Sequence, residues 1–131
     1  MRVMLDTSVC SYLIKGQSPW IEAFTKSDTG DLAISSIVAY ELAVWKNRNA
    51  ADGALARLIA AFLDAVVVLP FDADAAKVSG QVVAKLVAAK VDIGAMYPLI
   101  AGHAMSENAV LITNNEKHFK KVDGLRFANS I

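Results

Sequence analysis

Val110-Leu111-Ile112-Thr113, closed by Asn114 and Asn115, is the stretch that decides the fold. It is apolar and β-branched, without polar alternation and too short for a helix, which is how a strand covered on both faces reads. Just before it lies a helical pattern from Pro98 to Ser106, with Pro98 suited to a first helical position. The same alternation extends outward. Arg2 to Leu5, Asp31 to Ser35 and Val66 to Leu69 read as further buried strands, and Leu125-Arg126-Phe127 as a short edge strand. Ser35 or Ser36 can cap a helix running to about Asn47. Ala51 to Ala65 is rich in Ala and Leu. Asp72 can cap a helix to about Lys90 that carries Ala75, Ser79, Val82, Val83, Leu86 and Val87 at helical spacing. Buried strands alternating with helices predict an α/β fold with a parallel sheet covered on both faces. In such sheets ligands gather at the C-terminal ends of the strands.

The composition narrows the function classes. A chain of 131 residues is expected to form one domain over 1–131. Hydrophobic residues make up 55% and charged residues 20%, which excludes a disordered tail. One cysteine, Cys10, excludes a disulfide-stapled scaffold. Thirteen basic residues balance thirteen acidic ones, so nucleic acid is not gripped by bulk positive charge, though a local basic strip is compatible. The longest stretch without a formal charge, Ile93 to Ser106, is shorter than the ~20 residues that span a bilayer, and Pro98 interrupts it. Asp6 follows the N-terminus too closely for a signal peptide's apolar region. These features predict a soluble cytoplasmic protein with no membrane partner. So apolar a small domain is expected to bury part of its surface against a second protein chain.

The chemistry is sought at the strand ends. Asp6 follows the first strand, where it either projects into the crevice or caps the next helix. Glu41 lies one to two turns into the helix after the second strand, among Tyr40, Leu42, Ala43 and Val44; it is either an ordinary surface glutamate or partly buried, and a partly buried carboxylate there needs a partner or a metal. Asn114 and Asn115 follow the strand at 110–113. His103, between small residues, reads first as a packed core histidine, and Cys10 as buried filler. The phosphate-cradling P-loop, the dinucleotide-binding glycine fingerprint and the serine-hydrolase elbow are absent from the sequence.

Taken in order, these pieces resemble the PIN-domain ribonucleases, in particular the VapC-type toxins of bacterial toxin–antitoxin pairs. The resemblance rests on Met4-Leu5-Asp6-Thr7-Ser8, with Ser8 where Asn is usual, and on Cys10 to Lys15. It continues through Ile34-Ser35-Ser36-Ile37 with Tyr40-Glu41-Leu42, and Val68 to Asp72 with Ala75-Ala76. Ile93-Gly94 with Leu99 to Ala104, and a last motif of Leu111 to Asn115 and Phe119 with Gly124-Leu125-Arg126, complete it. Each motif alone is weak; six in register over nearly the full length are specific. The resemblance implies a single PIN domain, a three-layer α/β/α fold with a mostly parallel central sheet of four to five strands. It implies a Mg²⁺-dependent endoribonuclease, with Mn²⁺ as an alternative ion, acting as a homodimer and inhibited by a cognate protein antitoxin. It also implies an RNA substrate, with tRNA among the candidates. Asp6 and Glu41 would be metal ligands, because Mg²⁺ takes hard oxygen donors.

The sequence departs from the family at two places. The third motif normally puts an Asp three residues before the position of Ile100, and Tyr97 stands there. A phenol with a reference pKa of ~10 is neutral at pH 7 and a weak Mg²⁺ ligand. Asp92 is five residues upstream, a displacement of ~7–8 Å even at helical rise. Asn115 stands where some members carry Asp, and His118 where many carry an acid before Phe119. The catalytic candidates are therefore Asp6, Glu41, Tyr97 and Asn115, and the expectation is a site weakened at Tyr97. The alternative is a catalytically impaired protein that binds antitoxin, and perhaps RNA, without cleaving. A phosphatase-like reading with Asp6 as nucleophile is disfavoured, because Ser8 occupies the place of the second Asp. Lys117, His118, Lys120 and Lys121, with Lys46 and Arg48, form local basic runs. Trp20, Phe24, Trp45, Leu55, Leu58 and Phe62 are candidates for the core or for an antitoxin groove.

Overall fold

The computed structural model describes residues 2–16 and 32–129. Trp20, Phe24 and Asp31 lie outside the described residues. Five strands are described: β1 (Val3–Leu5), β2 (Leu32–Ser35), β3 (Val67–Leu69), β4 (Val110–Thr113) and β5 (Phe127–Asn129). The helices are α1 (Thr7–Ile14), α2 (Ser36–Arg48), α3 (Gly53–Ala65), α4 (Ala73–Ala88), α5 (Met96–Ser106) and the single turn α6 (Glu116–Phe119).

Four of the described helices start at a residue whose side chain caps them. Asp6, Ser35, Asp52 and Asp72 sit at N-caps, where their side-chain oxygens accept from the amides of Val9, Ile37, Leu55 and Ala75. Each cap satisfies an amide that the helix itself leaves unpaired.

The sheet order is β3-β2-β1-β4-β5, and every neighbouring pair is parallel. The expected α/β sheet, mostly parallel and of four to five strands, is present with five strands and with every described pair parallel. The register places Leu5 beside Ile112 and Met4 beside Ala33. Met4, Leu5, Ala33, Ile34 and Leu111 are buried at the centre, with Leu42, Ile59 and Phe119 packed over them from the helices.

Two local expectations are corrected. Val66 to Leu69 reads as a buried strand, yet Val67 and Val68 are exposed, at 42% and 41%. β3 ends the sheet and pairs with β2 alone; an apolar run looks the same at an edge as at the centre. Helix α5 begins at Met96, so Pro98 is its third residue rather than its first. That costs no hydrogen bond, because amides of the first helical turn have no intrahelical partner. Tyr97 is thereby carried in the first turn of α5.

Helices α4 and α5 meet at Gly102 and Ser79. A Cβ on Gly102 would stand 2.1 Å from Ser79 Oγ and 2.6 Å from Ser79 Cα. Only glycine allows the two backbones this approach, and Ile100, Ala101 and Ala104 are buried around it.

Candidate metal and phosphate cleft

The parallel sheet brings β1, β2 and β4 to one end, and the turns there supply the polar groups. The Asp6 amide donates to the Ile112 carbonyl at 3.1 Å, which prolongs the β1–β4 ladder by one residue and fixes where its carboxylate starts. The carboxylate is buried. Oδ1 accepts from the Val9 amide at 2.9 Å and from Ser8 Oγ at 2.7 Å, and Oδ2 accepts from Thr113 Oγ1. Burial pushes the Asp6 acid above the usual carboxylate range; the bonds from Thr113, Val9 and Ser8 offset only part of that. Asp6 is thus both a helix cap and a carboxylate held at the strand end.

Glu41 arrives from α2, half-buried. Its Oε1 accepts from Thr7 Oγ1 at 2.5 Å, a bond between residues 34 apart in sequence. Thr113 Oγ1, besides donating to Asp6, accepts from the Asn115 amide at 2.8 Å. Asn115 Nδ2 in turn donates to Tyr97 Oη at 3.3 Å. Tyr97 is held by rings. It stacks on His118 with centroids 4.5 Å apart and planes 10° from parallel, and meets Phe119 edge-on at 5.2 Å. Burial, and then the nearby Asp6 and Glu41 carboxylates, raise the phenol's pKa above its ordinary value, so Tyr97 keeps its proton at neutral pH.

These groups surround a cleft of about 410 Å³. Asp6, Thr7, Ser8, Glu41, Tyr97 and Asn115 line it, with Gly94, Ala95, Met96 and Ile100 as its less polar wall. All four sequence candidates, Asp6, Glu41, Tyr97 and Asn115, therefore lie on one cleft. Asp92 does not line it; its Oδ1 accepts from the Gly94 amide at 2.8 Å in the exposed turn before α5. Among the described residues, no group of three or more His, Cys, Asp or Glu gathers as a metal cage.

The structure adds two residues that the sequence reading did not single out as site groups. Thr7 and Thr113 orient the two carboxylates, and their partners follow from strand order rather than from local sequence. His103 is remote from the cleft contacts. It is fully buried, with Nδ1 2.7 Å from Ser35 Oγ and its ring edge-on to Phe71. Cys10 is buried, and burial pushes its thiol well up. Lys117 and Lys120 are exposed in and just after α6, on either side of His118 and Phe119.

Comparison with known proteins now decides the family. Residues 3–125 match the PIN domain. The chain belongs to the PIN-domain family. Within that family it is similar to VapC proteins. It is 32% identical over 126 residues to the tRNA(fMet)-specific endonuclease VapC of Shigella flexneri, covering 96% of each chain. It is 33% identical over 133 residues to Ribonuclease VapC2 of Rickettsia felis, covering 98% of each. Among solved structures, this PIN domain is similar to a chain of the DNA-bound VapBC of Salmonella typhimurium. The TM-score is 0.92 at 32% identity, over 100% of this chain and 99% of that one. The VapBC2 complex of Rickettsia felis gives a TM-score of 0.88, also at 32% identity.

Proposed function

We propose that this PIN domain, spanning 1–131, is a divalent-metal-dependent endoribonuclease, the toxin of a cytoplasmic toxin–antitoxin pair, working as a homodimer. The observation that carries the reading is the Thr7–Glu41 bond, which holds Glu41 against the residue next to Asp6 and sets two carboxylates on one cleft. The relatives named as ribonucleases or as a tRNA endonuclease support RNA as substrate. The VapBC complexes support a protein antitoxin as partner.

The donor set fits a hard cation. The cleft offers two carboxylates, an amide carbonyl, the hydroxyls of Thr7 and Ser8 and the Tyr97 phenol, and neither thiolate nor imidazole lines it. That suits Mg²⁺ or Mn²⁺ rather than zinc, and Mg²⁺ commonly binds through one or two carboxylates while substrate phosphates and water complete its shell. Asp6 and Glu41 would hold the ion. When bound, such an ion lowers the pKa of water and offsets charge on the phosphate. Asp6 contributes a carboxylate whose orientation is locked by three donors. Glu41 engages one oxygen with Thr7 and keeps the other for the ion or for a proton. Tyr97, neutral and stacked, occupies the place where the family carries a third acid, and this weakens the metal site.

The test is cleavage of in vitro transcribed initiator tRNA in Mg²⁺ and in EDTA, with Asp6→Asn and Glu41→Gln as controls. Turnover that needs Mg²⁺ and is lost in both variants supports the reading; turnover indifferent to both sinks it. The second reading, an antitoxin-binding protein without cleavage, is favoured by the Asn115–Tyr97 bond, which engages the Asn115 amide where some family members supply a further acid. Absence of cleavage at saturating Mg²⁺, with antitoxin binding intact, selects it.

A further inference from the structure

Tyr97 stands where the motif resemblance expects an acid, but its geometry is that of a placed hydrogen-bond donor. Its ring is fixed by the parallel His118 and by the edge of Phe119. Its oxygen accepts from Asn115 Nδ2, which ties that end of the phenol to the turn after β4. Among the described residues nothing accepts the phenolic proton in return. The side chain lines the same cleft as Asp6 and Glu41. A neutral donor beside two carboxylates is the group that can meet a phosphate oxygen there without adding negative charge, whereas a third carboxylate would repel it.

We propose that the Tyr97 hydroxyl is a substrate-contacting group, donating to a non-bridging oxygen of the RNA phosphate seated between Asp6 and Glu41. The Asn115 amide and the His118 ring are the positioning residues that hold it. This rests on the nuclease reading of the cleft. No covalent step is assigned to Tyr97, and its proton stays on the phenol. The side chain serves binding and orientation, and the cleft discriminates for a tetrahedral anion rather than for a base.

The test compares wild type with Tyr97→Phe, which keeps the ring stack and removes only the hydroxyl. Three readings are taken: affinity for fluorescein-labelled initiator tRNA in EDTA and again with Ca²⁺ in place of Mg²⁺, single-turnover cleavage in Mg²⁺, and Mg²⁺ binding by calorimetry. A hydrogen bond to a charged group is worth enough that about tenfold slower cleavage and a measurable loss of tRNA affinity are expected, with Mg²⁺ affinity unchanged. Equal affinity and equal cleavage in the two proteins overturn the proposal. So does a loss of Mg²⁺ binding that accounts for the slower cleavage, because Tyr97 would then act as a ligand. If wild type binds the tRNA but cleaves nothing, the nuclease reading falls by itself, and the affinity comparison still decides the role of the hydroxyl. A wild-type chain that binds no RNA overturns the proposal.

Discussion

Thr7 Oγ1 and Glu41 Oε1 lie 2.5 Å apart, a hydrogen bond that ties the first turn of α1 to the second turn of α2. It fixes one oxygen of Glu41 while Asp6, one residue before Thr7, is fixed by its own three donors. The segment Asp6–Val9 therefore takes part in positioning both carboxylates, while Thr113 of β4 holds the second oxygen of Asp6.

Replacing Thr7 with Val keeps the shape and removes that donor. Orienting groups behind metal ligands are commonly worth ~10–100-fold in affinity. Thr7→Val is expected to weaken Mg²⁺ binding by about tenfold with little change in melting temperature. A calorimetric titration with Mg²⁺ and a thermal melt check this; unaltered affinity would show that Glu41 does not depend on the bond.

Tyr97→Asp supplies the acid that the motif resemblance leads one to expect at this place. In the first turn of α5 a carboxylate also gains from the helix dipole. Mg²⁺ affinity should rise by at least about tenfold, roughly 1.4 kcal/mol, and cleavage at subsaturating Mg²⁺ should rise with it. Without the ion the variant should be less stable than wild type, since three carboxylates repel and the stack on His118 is lost. Melting in EDTA and in Mg²⁺ separates the two effects.

Gly102→Ala tests the helix contact that sets the position of α5. The added methyl would overlap Ser79 Oγ and also Ser79 Cα and N, at 2.1, 2.6 and 2.7 Å. Backbone cannot step aside as a side chain can, so a loss of at least ~2 kcal/mol is expected, or roughly 8 °C in melting temperature at ~4 °C per kcal/mol. Adding Ser79→Gly should not restore stability fully, because the Cα and N overlaps remain. Complete rescue by Ser79→Gly would show that only the hydroxyl was in the way.

His103 predicts an acid limit. Burial depresses its pKa below 6.5, against the opposing pull of the Glu107 and Asp72 carboxylates. In the window between the depressed folded value and 6.5, the unfolded chain binds a proton that the folded chain does not. Stability from this group is therefore complete above 6.5 and is lost as the pH falls through the folded value. Denaturant melts from about pH 7.5 to about 5, from above to below the ordinary range of a histidine, should show a decline that His103→Gln flattens. Equal slopes in the two proteins would remove His103 as the cause.

The sequence made the element types legible, and the physical reasons are local. Short apolar runs, and Asp or Ser standing directly before helical patterns, carry their own caps and lengths. The edge position of β3 was not legible, because Val67 and Val68 would read identically with a sheet neighbour on each side. The start of α5 slipped by two residues because proline is tolerated throughout a first turn. Asp6, Glu41, Tyr97 and Asn115 were named from their places after strands or in motifs, and they lie along one cleft. Thr113 was not named as the partner of Asp6, since that bond joins residues 107 apart and exists only because β4 lies beside β1. The ring stack on Tyr97 is of the same kind, made by bringing α6 back over the first turn of α5.

The strand order has a consequence for synthesis. Of the five described strands β1 is made first, yet it sits in the middle of the sheet and needs both β2 and β4 as neighbours. Asp6 waits for Thr113 to lock its carboxylate, and Tyr97 waits for Asn115 and His118. A growing polypeptide still attached to its ribosome short of that point holds every early element and no finished cleft. Pairings between such distant segments form late, so the completed pocket appears only after α6 has been made.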